Sequence, residues 1–90
     1  MSEVLSGEQK RSWIDTANRI RLLAEQYLGD SRREWVERSY ASAIDVIHRG
    51  DGSGAIKGLR AAVETAASDT GNEMLSAKLS SEIASLFPSR

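Results

Sequence analysis

The sequence has no cysteine, one histidine and one proline. Without thiols there are no disulfides, no thiolate nucleophile and no cysteine-rich zinc site, and a single imidazole leaves little for a transition-metal cage. Neither sign of charge is in excess. Twelve Lys and Arg against thirteen Asp and Glu give a formal charge of -1, so no global attraction to nucleic acid or anionic membrane is expected and partners must be recognised locally. No apolar run approaches the roughly 20 residues of a membrane span. The opening MSEVLSGEQKR lacks the basic start and apolar stretch of a secretory signal. A cytoplasmic protein is therefore expected. Metal and nucleotide signatures are also missing: the chain contains no H-E-x-x-H, no E-x-x-H, no D-x-D-x-D-G calcium loop and no G-x-x-x-x-G-K-[ST]. No metal, cofactor or catalytic residue is assigned.

What is present is helical periodicity. At 90 residues, residues 1–90 form one domain with one core. Trp13, Ala17, Ile20, Ala24 and Tyr27 recur at steps of four and three, with Ile14, Leu23 and Leu28 widening the stripe, which predicts a first helix over about 8–28. Ser6 and Gln9 have capping-box spacing at its start, and Gly29 suits its exit. Ser31 with Glu34 reads as the next capping box. A second helix over about 32–49 aligns Val36, Tyr40, Ala43 and Ile47, with Ile44 beside them. Trp35 and Val46 lie about 100° away, on a second, half-apolar face flanked by Ser39 and Ser42. Ala55, Ile56, Leu59, Ala62, Val63 and Ala66 stripe a third helix over about 54–68, whose alanines predict close helix approach. Thr70 with Glu73 repeats the capping-box spacing before a fourth helix over about 73–87, striped by Leu75, Leu79, Ile83, Leu86 and Phe87 and stopped by Pro88. AIDVIH, residues 43–48, could pass for a strand in isolation, but the second helical stripe runs through it unbroken. The fold class is all-α: a four-helix antiparallel bundle or stacked helical hairpins joined by short turns.

The glycine-rich stretch HRGDGSGAIKG, residues 48–58, admits three readings. Gly50, Gly52 and Ala55 satisfy G-x-G-x-x-A, but that phosphate cradle needs a feeding strand. Arg49-Gly50-Asp51 is an adhesion tripeptide only in an extracellular setting. A turn accounts for every residue, with Gly50 at the helix exit, Asp51 and Gly52 in the turn and Ser53 as N-cap. Residues 43–67 resemble the middle of a tetratricopeptide repeat: Ala43, then Gly50-Asp51 at the turn, then Ala55, Leu59 and Ala62 at the family's spacing. The resemblance covers one hairpin and departs from the family at Ser39, Val46 and Ala67. It implies a helical hairpin used to bind other proteins.

Residue type and position offer several candidate sites. His48, three residues after Asp45 near a helix end, suits a macrodipole contact better than catalysis, for which no serine is singled out. The acidic pairs Asp30/Glu34 and Glu34/Glu37 fall at a helix start, where negative charge is stabilising. Arg32, Arg33 and Arg38 surround Trp35, an arrangement suited to RNA or single-stranded DNA, yet residues 9–38 carry an excess of only two positive charges. Leu22 projects opposite Trp13. Trp35 beside arginines has the composition of an interface anchor, although packing on the third or fourth helix would equally occupy it. The expected function is a small non-catalytic interaction or regulatory module. It would bind an unidentified protein partner, or itself as a homodimer, through Trp35, Val46, Arg32, Arg33, Arg38 and Leu22. The alternative is a nucleic-acid-associated accessory protein using Arg32, Arg33 and Arg38.

Overall fold

The apolar stripes bury as their spacing requires. Ala17, Ile20, Ala24 and Leu28 go inward from the first helix, Val36, Ala43 and Ile47 from the second, Ala55, Ile56, Leu59, Val63, Ala66 and Ala67 from the third, and Leu79 and Ile83 from the fourth. The structure, a computed structural model, describes residues 6–86. Its helices are α1 (Gly7–Leu28), α2 (Arg33–His48), α3 (Gly52–Asp69) and α4 (Glu73–Ala84), with a 3-10 turn, Asp30–Arg32, between α1 and α2. Among the described residues there is no strand, and AIDVIH lies inside α2. Phe87 and Pro88, expected to close the last helix, lie outside the described residues.

Side-chain contacts fix the directions. Arg21, late in α1, meets Glu37, early in α2, while Arg32 at the entry to α2 meets Asp69 at the end of α3. Glu64 in α3 accepts a hydrogen bond from Ser80 in α4. Each helix thus runs antiparallel to the one before it. The bundle is not square: α1 and α3 pack directly on each other, and both touch α2 on one side and α4 on the other. The molecule is accordingly flat, 43 × 31 × 19 Å. Small core residues explain the short α1–α3 diagonal, because Ala17, Ala24, Ala55, Ala66 and Ala67 let the two backbones approach. Leu59, 2% exposed on α3, faces this shared core, and truncating it to alanine would cost about 2–5 kcal/mol.

Helix ends depart in detail from the sequence expectation. The Ser6/Gln9 capping box forms in both directions. Ser31 does not cap α2; its hydroxyl donates to the Leu28 carbonyl, since the 3-10 turn displaces the helix start to Arg33. Asp51, rather than Ser53, caps α3, accepting the Gly54 amide at 2.8 Å. Asn72, rather than Thr70, caps α4, accepting the Leu75 amide, while Thr70 Oγ1 donates back to the Ala67 carbonyl. In both cases position decides: Asp51 and Asn72 immediately precede the first helical residue and reach the third amide of the helix, whereas Ser53 is already inside α3 and Thr70 stands two residues before Asn72. Gly50 takes φ 104°, a left-handed value that side-chain-bearing residues rarely adopt, and so reverses the chain between α2 and α3.

Candidate interaction surface

Trp35 sits at the N-terminal end of α2, one position before buried Val36, and therefore leaves the helix toward α3. Its indole N–H donates to the Ala62 carbonyl of α3 at 2.9 Å. A carbonyl oxygen has two lone pairs, so this bond adds to the helical one that Ala62 already accepts. The ring is thereby held in one orientation with 47% of the residue still exposed. It forms one wall of a groove of about 330 Å³, whose other sides include Arg32 and Arg38 from the α2 end and Thr65 and Asp69 from α3. Further along the α2–α3 seam a second shallow groove of about 270 Å³ is bounded by Ser39, Ser42 and Val46 on one side and Gly54, Gly58 and Ala62 on the other. Val46 is half-buried against the core. The second groove is lined mainly by short side chains, and Trp35 is the large aromatic projection of the seam.

Arg32 and Arg38 join Trp35; the remaining sequence candidates do not all converge there. Arg33 turns toward Asp30, 3.8 Å away, and its charge is felt by Glu25 and Glu37 on the α1 side of α2. Leu22, 51% exposed, is on the outer face of α1 and lines neither groove. The arginines are also paired: Arg32 with Asp69 at 3.1 Å and Arg38 with Glu34 at 3.0 Å. His48 is exposed as the last residue of α2, and Asp45 engages Arg49 at 2.9 Å. At the glycine turn the Asp51 carboxylate occupies the Gly54 amide in the first turn of α3, a position that a phosphate would otherwise use.

One polar cluster was not legible in the sequence. Arg21 of α1 lies over the Tyr40 ring, 4.8 Å from its centroid, and donates to Asn18 Oδ1 at 2.6 Å and to Glu37 Oε2 at 3.0 Å. Glu25 stands 3.7 Å from the same guanidinium. Burial opposes the charge on Arg21, but the bond to Glu37 and the charges of Glu37 and Glu25 outweigh it and raise its pKa. A hydrogen bond with Glu37, helped by burial and by the Glu37 charge, raises the Glu25 carboxyl above the ordinary glutamate value. The same bond, with that from Arg21, lowers Glu37. The proton the pair retains as pH falls thus goes first to Glu25. The i,i+4 spacing of Arg21 and Glu25 was visible; the cross-helix partner Glu37 was not.

Among the described residues no group of three or more His, Cys, Asp or Glu could hold a metal ion, and no helix is long and apolar enough to cross a membrane. Comparison with family models, with curated proteins and with solved structures finds no match.

Proposed function

We propose that the protein is a small non-catalytic helical interaction module that docks through the outer face of α2 and its seam with α3. The observation that carries this reading is Trp35: a large aromatic side chain, half-exposed, fixed by a bond to the Ala62 carbonyl and flanked by two shallow grooves. A rigid aromatic beside arginine is the composition of an interface hot spot, because little side-chain entropy remains to be lost on binding. The hairpin resemblance over residues 43–67 supports the same class of function. The pairing of Arg32, Arg33 and Arg38 with Asp69, Asp30 and Glu34 leaves no net positive charge around Trp35, which weighs against a surface for the polyanionic phosphate backbone of a nucleic acid.

The reading is tested by affinity capture from the native host with wild-type protein, W35A and L22A. Partners retained by the wild type are expected to be lost with W35A and kept with L22A. Equal retention by all three folded proteins would refute a role for this face.

A further inference from the structure

The outer line of α2 reads Glu34, Arg38, Ala41, Ser42, Asp45, Arg49. These positions are separated by steps of three and four around the short central pair, so they share one face. That face is the solvent side of α2: contacts with α1 run through Glu37 and Tyr40 and those with α3 through Trp35, while Glu34, Arg38 and Ser42 border the α2–α3 grooves and α4 lies beyond the α1–α3 pair. The four charged side chains are 61% to 87% exposed. Within the chain they form two i,i+4 pairs, Glu34 with Arg38 and Asp45 with Arg49.

The order of signs along the whole line is antisymmetric about its centre. Read from either end the line is charged, small, charged, and reversing it exchanges every sign: Glu34 changes places with Arg49 and Arg38 with Asp45. A two-fold axis between Ala41 and Ser42 would therefore set Arg38 opposite Asp45 of the second copy and Glu34 opposite its Arg49, each contact made twice. The small residues would lie where the two backbones cross. Such a surface is self-complementary, as an isologous dimer interface must be.

We infer that the partner docked by the α2 face is a second copy of this chain, antiparallel across Ala41 and Ser42. This rests on the reading of that face as the docking surface and adds the identity of its occupant. Trp35 and Val46 flank the crossing on the α3 side and supply its apolar margin. Contacts between exposed charges are individually weak and are screened by salt. The dimer is accordingly a reversible one, favoured at low ionic strength.

Sedimentation velocity at low salt, over a concentration series, is run on the wild type, R38D, D45R and an equimolar mixture of the two variants, with circular dichroism as a check on folding. The wild type is expected to move toward the two-chain mass as concentration rises. Each variant places like charges together at both symmetric contacts and should dimerise at least roughly tenfold more weakly. In the mixture both contacts again pair unlike charges, so the two-chain mass should return. A wild type that stays at one-chain mass, or a mixture that sediments as the sum of its variants, would overturn the inference and leave the charges as intrahelical pairs only. Either result leaves the wider docking reading to the W35A and L22A capture, which is scored on other proteins.

Discussion

Gly52 and Gly58 stand six residues apart on α3, and the same substitution at each is expected to move stability in opposite directions. A Cβ at Gly52 would overlap the Trp13 indole, which lies across the first turn of α3 and joins it to the start of α1. A Cβ at Gly58 would meet nothing within 4 Å. In G52A the ring or the helix must shift, an overpacking cost of about 1–3 kcal/mol. Better helix propensity returns at most about 1 kcal/mol, and less at a helix start. The net loss is about 1–2 kcal/mol, which for a domain of this size lowers Tm by about 5–15 °C. In G58A only the propensity gain remains, about 0.5–1 kcal/mol, raising Tm by about 2–8 °C. Thermal unfolding followed by far-ultraviolet circular dichroism reads both. Repeating G52A in a W13A background closes a double-mutant cycle, in which the penalty should vanish because its cause has gone. A G52A protein as stable as its parent, or a penalty that persists without Trp13, would refute the packing of α1 on α3 through this contact.

Replacing Trp35 by phenylalanine removes the N–H donor while Ala62 keeps its helical bond, so urea melts should show a loss of about 0.5–1.5 kcal/mol, with a larger loss for alanine. Leu22→Ala on the exposed face of α1 should change stability by less than about 0.5 kcal/mol in the same assay. Glu25, its pKa raised, contributes stability that is full below the ordinary glutamate value and lost as pH rises through the raised one, whereas Glu37, its pKa lowered, contributes above that value and loses as pH falls. Glu25→Gln keeps a donor toward Glu37 without ionising; relative to wild type it should therefore gain stability as pH rises above the ordinary glutamate value, and a difference that stays flat through that rise would contradict the shared-proton arrangement.

The fold was legible because each helix carries its own period: Ala17, Ile20 and Ala24, or Leu59, Val63 and Ala66, repeat at steps that only one face of a helix can bury. Helix existence survives a local ambiguity such as AIDVIH, since the stripe of Val36, Tyr40, Ala43 and Ile47 crosses it. The caps were less legible. Ser31, Ser53 and Thr70 have the residue type of an N-cap, but a 3-10 turn and the competing Asp51 and Asn72 decide where each helix begins, and those depend on the geometry of the chain reversal. At the candidate surface, the off-stripe position of Trp35 was readable, but its attachment to Ala62 was not, because that contact joins residues 27 apart. For the same reason Leu22 and Arg33 could not be separated from the other candidates until the neighbours of α2 were known. The Arg21, Glu25 and Glu37 cluster likewise depends on the pairing of α1 with α2.

The chain has two tryptophans, one on each side of the question. If the outer face of α2 is where the molecule docks with its own kind, a nitrogen–proton correlation spectrum recorded at increasing protein concentration should shift the Trp35 indole N–H cross-peak progressively while that of Trp13, packed against Gly52, stays in place. A Trp35 signal that does not move, or a Trp13 signal that moves in its stead, would contradict it.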